Sequence, residues 1–144
     1  MARTIVKRTR APVKRAVPAA AADASVYARD LDTWPRSWRG YDKDVPPGEA
    51  LVTCFRPFIA HLAASSLSPN TIRTHVDNLW ILGGEIIRDL NTDPALRKVP
   101  ADRLLRKVIR TDGGPLMYHG SEEEQRSFDS TCRRLHRFLS DRQA

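Results

Sequence analysis

Residues 67–90 read LSPNTIRTHVDNLWILGGEIIRDL, and they decide the fold class. Ser68 is a side-chain acceptor suited to a helix N-cap. Pro69 follows at the first helical position, where a missing backbone N–H costs nothing. Downstream, Ile72, Val76, Leu79, Gly83, Ile86 and Leu90 recur at the three-to-four spacing of one helical face, with Asn70, Arg73, Thr74 and Asp77 on the opposite side. The spacing predicts one long amphipathic helix. Gly83-Gly84 interrupts it at about 1 kcal/mol per glycine relative to alanine, so a bend or a close helix–helix crossing is expected there.

Upstream, Leu51, Phe55, Phe58, Ile59 and Leu62 repeat the same spacing and predict a helix from about Glu49 to Ser65. Pro57 lies inside it and predicts a kink, or a start near Arg56. Downstream, Pro100 opens a third helix with Leu104, Leu105, Val108 and Ile109 on its apolar side. Arg103, Arg106, Lys107 and Arg110 fall at i, i+3, i+4 and i+7, so four cations share one exposed face. Like charges at that spacing repel by a few tenths of a kcal/mol per pair, roughly. A bound anion would relieve this, and so would pairing with Glu122–Glu124. The loop 111–120 contains Gly113-Gly114-Pro115. Ser121 with Glu124 three residues on has capping-box spacing and starts the last helix, with Phe128, Cys132, Leu135, Phe138 and Leu139 as its apolar stripe. Arg126, Ser130, Arg133 and Arg137 share another face. No stretch alternates as a strand does, so the chain reads as all-α, four helices over residues 49–142.

Before them, residues 26–48 form an aromatic and proline-rich lead segment. Its breakers Pro35, Gly40, Pro46, Pro47 and Gly48 argue against a regular element. Trp34, Trp38 and Tyr41, with Arg36 and Arg39, have the chemistry to stack on bases. The favoured reading is that they pin the segment onto the domain's own core. Residues 1–25, rich in Ala, Pro, Arg and Lys, are expected to be a disordered arm.

The net charge of +7 is concentrated in that arm. Arg3, Lys7, Arg8, Arg10, Lys14 and Arg15 stand among the first 22 residues with no acid, whereas the other 122 residues hold 18 basic and 17 acidic side chains. An acid-free basic arm is an electrostatic footprint for phosphate-rich partners. A solvated tail and an organellar transit peptide are the competing readings, the second opposed by Pro12 and Pro18. No apolar run approaches the roughly 18 residues of a membrane span, which predicts a cytoplasmic protein, nucleoid-associated if it binds DNA. Cys54 and Cys132 read as reduced thiols.

The residues for chemistry are sparse. His61, His75, His119 and His136 are scattered, and Cys132 with His136 makes only two of the three or four ligands a metal site needs. Asp112-Gly113-Gly114-Pro115 lacks the lysine of a phosphate loop, and neither cysteine nor serine sits in a nucleophile motif. The expectation is a binding protein without catalytic residues, metal, cofactor or small-molecule substrate.

Phe55–Leu90, FRPFIAHLAASSLSPNTIRTHVDNLWILGGEIIRDL, resembles the first two helices of the core-binding domain of tyrosine recombinases of the phage-integrase type. There an F-x-x-x-L helix end leads through L-S-x-x-T into a long second helix. Phe128–Leu139, FDSTCRRLHRFL, is similar to that domain's closing helix. The resemblance implies a four-helix, SAM-like orthogonal bundle that clamps double-stranded DNA, with Asn70, Thr71, Arg73, Thr74, Arg133 and Arg137 as contacts. It also implies a link to DNA integration, recombination or a mobile genetic element, with a recombinase or transposase as partner. The family's catalytic arginine, His-x-x-Arg pair and nucleophilic tyrosine have no counterpart around Tyr27, Tyr41 or Tyr118, which implies a stand-alone module that does not cut DNA. Leu67–His75 also resembles the start of a recognition helix in helix-turn-helix transcriptional regulators, which would turn Asn70, Thr71, Arg73 and His75 toward the groove. A third reading, supported by the near-neutral core, is a helical protein-interaction module with no nucleic acid.

Overall fold

The computed structural model describes residues 24–143, so residues 1–23 of the predicted arm, with its six cations, lie outside the described residues, while Ala24 and Ser25, expected to be disordered, begin a short helix. Six helices follow in order: α1 (Ala24–Tyr27), α2 (Trp34–Trp38), α3 (Val45–Ala63), α4 (Pro69–Thr92), α5 (Ala101–Val108) and α6 (Glu122–Gln143). Short 3-10 turns at Leu31–Thr33, Asp42–Asp44 and Pro94–Lys98 link them. No named strand occurs among the described residues, so the all-helical class holds.

The start predicted for the central helix holds in detail. The Ser68 hydroxyl accepts from the backbone N–H of Thr71 at 3.2 Å, and Pro69 opens α4. Ile72, Val76, Leu79, Leu82, Ile86 and Leu90 are buried along one side. α3 runs from Val45 through Pro57, which overturns the alternative start near Arg56, and α4 is continuous through Gly83-Gly84. Pro57 removes one backbone hydrogen bond, but Phe55, Phe58 and Ile59 around it are all but fully buried and hold the turn in place.

The lead segment corrects a second expectation. Its prolines do not exclude helix; Pro35 stands in the first turn of α2, and α3 starts at Val45 with Pro46 in its first turn. Proline is compatible with the first turn because those N–H groups lack helical partners anyway. Trp34 is buried, its ring 6.4 Å from Phe55. Trp38 lies across α4 and donates its indole N–H to the Trp80 carbonyl at 2.9 Å. A β-carbon on Gly83 would overlap the Trp38 ring. The glycine therefore makes room for the Trp38 side chain at the end of α2, which is the close helix–helix approach expected there.

The lead segment is fastened a second time through Asp44, which is wholly buried. Its carboxylate accepts from the Gly40 and Tyr41 N–H groups at 2.7 and 2.9 Å, from Asn91 Nδ2 at 3.1 Å and from Arg97 Nη2 at 2.6 Å. Burial pushes the Asp44 pKa up, but Arg97, Asn91 and the two N–H groups outweigh it, leaving the value lowered to about 2. This network ties the turn before α3 to the end of α4 and the turn after it.

α6 closes the fold. Ser121 and Glu124 form the reciprocal capping box, with Oγ accepting from the Glu124 N–H at 3.0 Å and the Glu124 carboxylate from the Ser121 N–H at 2.8 Å. α6 passes α4 in the opposite direction along a buried polar seam. His75 Nδ1 pairs with Thr131 Oγ1 at 2.7 Å, and Asn78 Nδ2 donates to Thr131 Oγ1 at 2.9 Å and to Ser127 Oγ at 3.1 Å. The expectation that His75 faces a DNA groove is thereby overturned, because its ring is committed to α6.

Candidate nucleic-acid interface

α5 begins after Pro100, whose carbonyl accepts from the N–H groups of Arg103 and Leu104 at 3.0 Å each. It packs on α3 through Leu104 and Leu105, both buried. Of the four cations predicted to share one face, the structure exposes Arg103 and Lys107, while Arg106 is half-buried. Arg106 and Asp102 lie close to Cys54, where burial and the Asp102 charge push the thiol pKa up and Arg106 opposes them. Arg110 departs from the expectation. The helix ends at Val108 and Ile109 turns extended, because Ile109 is drawn into the core. Arg110 thus leaves the helical register and forms an isolated antiparallel bridge with Gly113.

That departure places Arg110 beside α6. Its guanidinium pairs with Asp112 through Nε at 3.1 Å and donates from Nη2 to the Gly114 carbonyl at 3.1 Å. Arg133, from the exposed side of α6, donates to the Asp112 carbonyl at 3.4 Å. Two cations from different elements meet on one loop residue. The loop can lie this close because Gly113 adopts φ 156° and a β-carbon on Gly114 would overlap Cys132. The buried Cys132 thiol is pushed up to about 12 by burial first and Asp129 second, so it stays protonated and acts as a packing group.

Further along α6, Arg137 is exposed beside a cleft of about 270 Å³ that Phe58 and His61 of α3 share with Phe138. Arg103 and Lys107 thus stand on α5, Arg110 on the loop and Arg133 and Arg137 on α6, and all five are exposed. Only Arg110 among these five has an ion pair among the described residues, and Glu122–Glu124 pair with none of them. Residues 24–93 carry seven basic and nine acidic side chains, whereas residues 94–143 carry eleven basic and seven acidic.

The α4 candidates sit differently. The Thr71 hydroxyl accepts from Ser68 at 2.9 Å and the Thr74 hydroxyl donates to the Asn70 carbonyl at 3.0 Å. The Arg73 guanidinium lies 5.7 Å over the Tyr27 ring. Asn70 is exposed at the first turn. These four do not converge with the α5–α6 cations through any contact among the described residues, although the Arg134 charge on α6 reaches His75 on α4.

Sequence reasoning passed over the Asp44–Asn91–Arg97 network and the polar seam. The seam left a signal: His75, Asn78 and Thr131 stand at core-facing positions of their helices. The network left none, since its partners are 47 and 53 residues apart. Among the described residues no group of three or more His, Cys, Asp or Glu is placed to hold a metal ion, and no helix is long and apolar enough to cross a membrane. No protein-family model, curated protein or solved structure matches the chain.

Proposed function

We propose that this chain is a non-catalytic module that binds double-stranded DNA through the exposed cations of α5, the following loop and α6. One observation carries the reading: Arg110 and Arg133, from different elements, meet at Asp112, and Arg103 and Lys107 of α5 and Arg137 of α6 are exposed with no ion pair among the described residues. Exposed cations without ion-pair partners attract a phosphate backbone, and binding it releases counterions. In this reading the helices act as a SAM-like bundle in the manner of a tyrosine-recombinase core-binding domain, in the service of integration or recombination. The N-terminal arm adds a further, sequence-independent attraction for phosphate. The helix-turn-helix alternative loses its support with His75, which is turned into the α4–α6 seam.

A protein-interaction module is the second reading. It is favoured by Leu116 and Tyr118, 83% and 61% exposed on the 111–120 loop. Duplex binding separates the two. A mixed-sequence duplex should bind at about 50 mM salt, with log K falling by about 0.9 per phosphate contact as log salt rises. Removal of residues 1–22 should weaken binding and leave helical circular dichroism intact. No binding at that salt would sink the DNA reading, and loss of helicity on removal would sink the independence of the arm.

A further inference from the structure

The cleft beside Arg137 has more than charge. Its floor is aromatic: the Phe58 and Phe138 rings are 5.4 Å apart, and the His61 imidazole packs on Phe138 at 4.9 Å. His61 is itself exposed, so one face of this aromatic group is open to solvent. Around it stand Arg134, Arg137 and Arg142, the last 5.2 Å over the Phe138 ring. Asp141 is the one carboxylate in the lining, and no ion pair ties it to the three arginines among the described residues. An open aromatic surface ringed by guanidinium groups matches one kind of ligand, a flat aromatic ring joined to a phosphate. At about 270 Å³ the cleft falls just below the roughly 300 Å³ at which drug-sized pockets begin, which suits a single base with its phosphate and not a whole dinucleotide.

We infer that this cleft receives one unpaired nucleobase of DNA, stacked on His61, with its phosphate held by Arg137 and Arg142. The inference rests on the DNA-binding reading and deepens it. It makes the preferred target a duplex that ends in, or is interrupted by, a single-stranded nucleotide. The duplex portion lies along the α5–α6 cations, and Arg137 belongs to both.

The test compares a blunt mixed-sequence duplex with the same duplex carrying a short single-stranded tail, its first unpaired base replaced by 2-aminopurine. The full chain should bind the tailed duplex about ten-fold more tightly, the scale of one base stacked on an aromatic group, and should quench the probe. His61→Ala, at an exposed position, should abolish both the preference and the quenching while leaving blunt-duplex affinity and helicity unchanged. Equal affinity for the two duplexes without quenching would overturn the cleft inference and leave the duplex reading standing. A preference that survives in His61→Ala would place the base elsewhere and overturn it as well. Binding to neither duplex would overturn both readings.

Discussion

The two sides of α4 treat their polar groups in opposite ways. On the lead-segment side, Asp44, Asn91 and Arg97 satisfy one another and two backbone N–H groups, while Trp38 and Trp80 spend their indole N–H groups on the Trp80 carbonyl and Ser37. On the α5–α6 side, Arg103, Lys107, Arg133 and Arg137 stay exposed and have no ion pair among the described residues. A buried charge is tolerable only when it is paired, so the first arrangement belongs to folding. Exposed cations add little to stability whether paired or not, so the second is free to serve a partner. The comparison predicts a clean division: changes on one side should cost stability and spare DNA binding, and changes on the other should do the reverse.

The largest effect is expected from Asp44→Ala. It strands two backbone donors and the Arg97 guanidinium, whose Nε already lacks a partner. Removing one member of a buried pair costs about 3 kcal/mol or more, readable as a lowered midpoint in urea unfolding. Acid titration sharpens the point. Asp44 has a folded pKa of about 2 against an ordinary 3.8, so its contribution of about 2 kcal/mol is present above pH 3.8 and is lost as pH falls toward 2. Asp44→Asn should remove that part of the acid limb. If Asp44→Ala weakened DNA binding under conditions where the variant is still folded, the division between the two sides would break.

Gly83→Ala comes next. Overpacking against the Trp38 indole should cost about 2 kcal/mol. In a Trp38→Ala background the same change should instead stabilise by up to about 1 kcal/mol, because alanine is the better helix former. Chemical denaturation of the four proteins of this cycle reads the reversal. A destabilising Gly83→Ala in both backgrounds would mean that the glycine serves some need other than seating Trp38.

The smallest effect concerns the buried seam between α4 and α6. Burial, with the Arg134 charge second, lowers the His75 pKa below its ordinary 6.5. The unfolded chain therefore binds a proton first on acidification. Stability from this group is complete above pH 6.5 and declines as pH falls below it. His75→Asn should flatten the thermal-stability profile between pH 6.5 and 5, and an unchanged profile would mean that the ring titrates as a solvated histidine does.

The parts of this fold legible in the sequence are those governed by local rules. Ser68-Pro69 and Ser121 with Glu124 place helix starts because a cap needs only residues three positions apart, and the apolar stripes of α3, α4 and α6 follow from the helical period. Tertiary packing overrides the rest. Pro57 does not break α3, Gly83 faces an indole from 45 residues upstream, and Arg110 leaves its expected register because Ile109 is pulled into the core. The candidate site was legible as charges on separate elements. The meeting of Arg110 and Arg133 at Asp112 depends on the path of the 111–120 loop, which no periodicity records. The aromatic floor of the cleft is not legible in the sequence, since Phe58 and Phe138 lie on apolar stripes and only the fold sets His61 beside them.

Contact between the α5–α6 cations and DNA phosphates is read from the salt dependence of binding. The salt dependence of duplex binding is compared between the full chain and its Arg103→Gln/Lys107→Gln/Arg137→Gln variant. Each phosphate contact contributes about 0.9 to the slope of log K against log salt. The variant should therefore show a slope shallower by about 2 to 3 with an unfolding midpoint unchanged within about 0.5 kcal/mol. Parallel slopes for the two proteins would mean that the α5–α6 cations are a solvated surface with no part in DNA binding.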